Sequence, residues 1–126
     1  MNYETGDCMP GGYDLEQQQS DAADMNRIIN QKLGARERLE VLAEEAAELS
    51  QAALKMIRAY RMGRVVNPTP LTPEEALENL FEEVADVEVA IESLGLYYMN
   101  RGKIEKIKEK KRKRWAERLK GAERNE

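Results

Sequence analysis

The stretch EEAAELSQAALKMIR, Glu44–Arg58, decides how the chain is read, and EEVADVEVAI, Glu82–Ile91, repeats its pattern. Each begins with two acids, then two small or apolar residues, a third acid and an aliphatic run. An α-helix advances about 100° per residue, so Glu45 and Glu48 share a face. Val41, Leu42, Leu49, Ala52 and Met56 all fall within roughly 60° of Glu45. Glu83 sits in the same way among Ala76, Leu80, Val87, Ala90 and Leu94, with Asp86 one turn further on. Both helices therefore aim two carboxylates into their own apolar stripes.

Carboxylates taken out of water must pair, protonate or bind a cation. One such pair is most simply a rim feature bound to Lys or Arg, because charged residues on a stripe edge are common. Two pairs at matching offsets favour a different account. Four carboxylates from facing helices gather about −4 of charge, which two Mg²⁺ ions would neutralise, and hard oxygen ligands suit Mg²⁺.

The rest of the composition narrows the choice. A chain of 126 residues is one domain with a modest core, better served by a partner subunit. Charged residues are 35% and aromatics 6% of the sequence, which suits exposed helices more than a sheet sandwich. Arg101–Lys120 holds eleven Lys/Arg against three Glu, so with a net charge of −4 the remainder is strongly acidic. No apolar run approaches the ~20 residues of a membrane span, and no signal-peptide pattern opens the chain. The single cysteine, Cys8, cannot form an internal disulfide and fits a reducing cytoplasm. The absence of histidine excludes histidine-based nucleophilic catalysis, His-ligated zinc and the Glu-x-x-His di-iron bundle.

Residues 1–19, with three glycines and a proline, read as a flexible extension, leaving 20–126 as the all-α domain. Ser20 and Asp21 offer a cap for a first helix carrying Met25, Ile28, Ile29 and Leu33, and Gly34 breaks it. A second helix spans about Ala35 to Met62, stopped by Gly63. Asn67-Pro68-Thr69-Pro70 is non-helical. Thr72-Pro73-Glu74-Glu75 is a capping box that starts a third helix reaching about Leu94. Gly95 and Gly102 bracket a break before a fourth helix, about Lys103 to Lys120. No segment alternates like a strand, so the expected fold is an all-α bundle of about four helices.

The fourth helix has the stripe Ile104, Ile107, Trp115 and Leu119, with Lys111 at its centre and Arg114 and Arg118 flanking it. These bases suit phosphate, and so do Lys55, within about 20° of Glu48, and Asn79, one turn before Glu83. Taken singly, Lys55 reads as a snorkelling surface lysine and Asn79 as a rim residue. A nucleic-acid surface is the competing reading of the basic helix, weakened by its single aromatic.

Together EEAAE (Glu44–Glu48), the trailing QAALKMIR, the NPTP loop, NLFEEVADV (Asn79–Val87) and Lys111-x-x-Arg114 resemble the MazG-like all-α nucleoside triphosphate pyrophosphohydrolases. The resemblance covers about Gly34 to Leu119. It implies Mg²⁺-dependent cleavage, with Mn²⁺ as a substitute, of a nucleoside triphosphate to monophosphate and pyrophosphate in a homodimer or homotetramer. Metal-ligand roles then fall on Glu45, Glu48, Glu83 and Asp86, with Glu48 also the candidate base. Substrate-contacting roles fall on Lys55, Asn79, Lys111 and Arg114. The gap between the acid motifs is longer than in the most compact members, and Leu33 stands where many relatives have an aromatic. The rival expectation is a non-enzymatic helical protein that binds nucleic acid through its basic C-terminal helix.

Overall fold

The computed structural model describes residues 15–124. Five helices follow one another: α1 (Leu15–Lys32), α2 (Ala35–Ala59), α3 (Pro73–Ser93), the single turn α4 (Leu96–Met99) and α5 (Lys103–Arg124). No strand occurs among the described residues, and the fold is all-α as expected. None of their helices is long and apolar enough to cross a membrane.

The fold centres on α2 and α3, which lie antiparallel. Arg38, near the start of α2, bonds to Ser93 at the end of α3, while Lys55, near the other end of α2, shares a groove with Glu75 of the first turn of α3. The seam is built from small residues. Ala52, Ala76 and Ala90 are the buried apolar residues, and no large side chain is fully buried among the described residues. Leu42, Leu49, Met56, Leu80, Val87 and Leu94 of the expected stripes flank the seam, half-buried. Alanines let two helix axes come close, toward the ~8 Å end of the usual range. The spacing is heptad-like: Arg38, Glu45 and Ala52 on α2, and Ala76, Glu83 and Ala90 on α3, are each seven apart. Glu45 and Glu83 thus occupy positions that a coiled coil would give to apolar knobs.

The helix ends show where local chemistry agrees with the sequence and where it does not. Thr72 caps α3: its hydroxyl accepts from the Glu75 N–H at 3.2 Å, and the Glu75 carboxylate accepts from the Thr72 N–H at 3.4 Å. Gly95 and Gly102 take the left-handed conformation, with φ 65° and 82°, and bracket the break as expected. The extra turn α4 between them brings the helix count to five.

Three expectations need correction. Helix α1 already includes Leu15–Gln19, so Ser20 and Asp21 lie inside it and cap nothing. Leu, Glu and Gln are good helix formers, and Gln17 donates to Asp21 one turn on, at 3.0 Å. Only residues 1–14 of the expected extension, Cys8 among them, fall outside the described residues. Helix α2 ends at Ala59, not Met62. Its stop is a Schellman turn with Arg61 in the left-handed position at φ 51°. Met62 N–H bonds to Ile57 O and Arg61 N–H to Arg58 O, at 3.0 and 3.2 Å. Just beyond this stop Val65, Thr69 and Leu71 return to line a hollow with Arg58 and Ala59.

Finally, α5 makes no substantial contact with the other helices. Ile107, Trp115 and Leu119 of its stripe are 42%, 67% and 56% exposed, and Ile104 is half-buried.

Candidate metal and phosphate site

The α2–α3 seam brings Glu45, Glu83 and Asp86 together. Each offers a carboxylate oxygen, and these oxygens lie within 4.8 Å of one another. Glu45 and Glu83 are half-buried while Asp86 is exposed, so the cluster opens to solvent on the Asp86 side. The ion pairs found among the described residues are Arg27–Asp24, Arg36–Glu40 and Lys108–Glu105. None reaches the cluster. One oxygen each of Glu45 and Glu83 is buried with no hydrogen-bond partner.

Electrostatics follows from that arrangement. Burial pushes the Glu45 carboxyl above its ordinary value, and the negative charges of Asp86, Glu48 and Glu44 push it further. Glu83 is raised in the same way, by burial first, then by Glu48, Asp86 and Glu45. Side-chain hydrogen bonding with Glu48 adds the smallest contribution to the rise at Glu83. Glu48 is itself exposed and lies near enough for its charge to act on both Glu45 and Glu83. Opposite charge within reach would reverse these shifts.

The donor set fits a hard divalent cation. The donors on offer are carboxylate oxygens drawn from two facing helices, and Glu45 and Glu83 each also have one buried oxygen without a partner. Such a site lacks the nitrogen and sulfur donors that zinc and copper centres favour.

Two hollows adjoin the seam. Toward the start of α3, Lys55 and Asn79 line an open groove of about 460 Å³ with Leu71, Glu74, Glu75, Glu78 and Glu82. Lys55 and Asn79 therefore line one groove, Lys55 two helical turns from Glu48 and Asn79 one turn from Glu83 along their own helices. Toward the other end, Ile29, Leu33, Val41, Val89, Ala90 and Ser93 line a mainly apolar cavity of about 250 Å³ that Glu45, Asp86 and Arg38 also border. Lys111 and Arg114 are absent from the walls of both. They are exposed on α5, and within one chain the structure does not bring them to the acids.

Arg38 is the residue that the sequence reading missed. Its Nη1 donates to Ser93 O at 2.6 Å and to Asn30 Oδ1 at 3.0 Å, and its Nε to Gly34 O at 3.3 Å. One guanidinium thus ties α1, the α1–α2 turn and the end of α3 together beside the cavity. The signal was present in the spacing, since Arg38 precedes Glu45 by seven residues on the same stripe.

Comparison with protein-family models, with curated proteins and with solved structures finds no match to this chain.

Proposed function

We propose that this protein is a Mg²⁺-dependent nucleoside triphosphate pyrophosphohydrolase that works as a homo-oligomer, with Mn²⁺ able to substitute. The observation that carries the reading is the convergence of Glu45, Glu83 and Asp86 from two helices with no cation paired to them among the described residues. Glu45, Glu48, Glu83 and Asp86 are the residues that would hold the ion. When bound, Mg²⁺ screens triphosphate charge and acidifies a coordinated water.

The chain's own residues then divide the work. Glu48, exposed and acting by its charge on Glu83, would orient the attacking water and accept its proton. Lys55 supplies positive charge in the groove next to the acids, where it would stabilise the departing pyrophosphate. Asn79 can donate or accept a hydrogen bond there. The apolar cavity at the other end of the cluster is of the size to enclose a nucleobase, away from the groove. A substrate with an anionic chain and a planar apolar end matches that division. Lys111 and Arg114 join the phosphate grip only from an α5 seated on the hairpin.

Attack at the α-phosphorus is expected, because the chain has no Gly-x-x-x-x-Gly-Lys loop to cradle terminal phosphates. A panel of purified triphosphates in ¹⁸O-labelled water, with Mg²⁺ or EDTA, tests this. Monophosphate carrying the label together with pyrophosphate, abolished by EDTA, is the expected result. Label in free phosphate, or no turnover of any triphosphate, would overturn it. The exposed bases of α5 favour nucleic-acid binding as the second reading. It predicts salt-sensitive binding of labelled RNA or DNA, unaffected by Glu45→Gln.

A further inference from the structure

Helices α3 and α5 have opposite charge and lie apart within the chain. Helix α3 contains eight acids, Glu74, Glu75, Glu78, Glu82, Glu83, Asp86, Glu88 and Glu92, and no Lys or Arg. Helix α5 contains eleven Lys/Arg against four Glu. Each also has an apolar stripe that the other described residues leave largely open. On α3 the side opposite Glu83 presents Leu77, Phe81 and Val84, with Phe81 57% and Val84 39% exposed. On α5 Ile107, Trp115 and Leu119 are open, as described above. The two stripes carry opposite charge. Glu74 and Glu88 lie seven residues either side of Phe81 with Glu78 beside them, and Lys108 and Lys111 lie within the Trp115 stripe with Arg114 and Arg118 flanking it.

We infer that the outer face of α3, around Leu77, Phe81 and Val84, receives α5 of a second copy of this chain. Charge complementarity selects this occupant. A helix of eight acids repels another copy of itself, and it attracts α5, the one strongly basic helix among the described residues. The lengths agree, because 21 and 22 residues both extend roughly 32 Å at the standard rise. A two-fold pair repeats the contact, with each α5 on the other chain's α3. Two helix seams of roughly 30 by 10 Å, counted on both partners, come to about 1,200 Å², at the low end of stable interfaces. The pairing has a consequence for the groove. Glu74 and Glu78 lie both along the Phe81 stripe and in the wall of the Lys55–Asn79 groove. The partner's basic helix is thereby brought alongside that groove.

Trp115, the sole tryptophan, makes the test direct. The full-length chain is followed by sedimentation and by tryptophan fluorescence across a concentration series, at low and high salt. Twice the 14.4 kDa chain mass, with a blue shift of the emission as dimer forms and a weakening of both by salt, is expected. Phe81→Glu and Trp115→Glu should each abolish the dimer while leaving the helical circular dichroism intact. Mixing the two variants restores one intact seam, and the only tryptophan present then belongs to the Phe81→Glu chain. Its emission should shift back to the blue at raised concentration. A monomeric wild type would overturn the inference. So would variants that remain dimeric, or a mixture with unshifted emission, since these assign the association to another surface or to contact within one chain.

Discussion

Arg38→Met would remove the guanidinium that joins three parts of the fold while keeping an unbranched side chain in place. Its bond to Ser93 O, at 2.6 Å and part-buried, is charge-assisted and worth roughly 2 kcal/mol. The bonds to Asn30 and Gly34 are exposed and add only a few tenths each at that level of screening. The Ser93 carbonyl also lies at the negative end of α3, which favours a cation there. The expected loss is about 2–3 kcal/mol, or roughly 10 °C in melting temperature for a chain of this size. Arg38→Lys should recover only part of it, since an ammonium cannot spread over three acceptors like a planar fork. Thermal melts of the three proteins by circular dichroism, without added metal, give the comparison. A melting temperature for Arg38→Met within 2 °C of wild type would refute the view that this side chain ties α1 to the hairpin. So would full rescue by Lys, which would reduce the effect to one positive charge.

Three other expectations concern the acids and the end of α2. Glu45→Gln and Glu83→Gln should each abolish Mg²⁺-dependent turnover without lowering the metal-free melting temperature. Wild type should gain about 2.7 kcal/mol at a hundred times the dissociation constant of the ion, a gain that calorimetry should find absent in both variants. In EDTA the two acids should make stability fall with rising pH. Their carboxyls are raised above the ordinary 4.5 by burial and by neighbouring negative charge. The native state therefore holds their protons longer than the unfolded chain. Their favourable contribution is complete below the ordinary value and disappears as pH rises through the raised one. Urea melts of wild type minus each Gln variant isolate this slope, and a difference that grows in favour of wild type with pH would contradict it. Arg61→Gly should stabilise by roughly 0.5–1 kcal/mol, because glycine tolerates the left-handed turn that costs arginine energy; chemical denaturation gives the value.

The sequence held the hairpin clearly and the position of α5 poorly. The acids at matching offsets, the Thr72 box and the glycines around α4 all act within a few residues, so local spacing was enough to read them. Leu15–Gln19 were discounted because of the glycines that precede them, although their own propensity is helical. The stop at Arg61 was hidden because a left-handed arginine leaves no compositional mark, whereas Gly63, two residues later, leaves a strong one. Lys55 and Asn79 could be placed beside the acids because helical phase relates them to Glu48 and Glu83. No phase relation links α5 to the hairpin, so the stripe around Trp115 showed that a cover is needed without showing which surface supplies it.

The alanines of the α2–α3 seam also act as a gauge. Ala76 and Ala90 lie two turns either side of Glu83, and Ala52 two turns beyond Glu45, so the distance between facing carboxylates is set by residues that carry no ligand. Oxygen sits about 2.1 Å from Mg²⁺ and about 2.4 Å from Ca²⁺, and adding carbons to a close-packed seam forces its backbones to shift. Ion preference would then be a property of the spacer and not of the donors. A chain with Ala76→Val should move along the series from smaller to larger divalent ions with every acid unchanged, which competition between Mg²⁺ and Ca²⁺ would display.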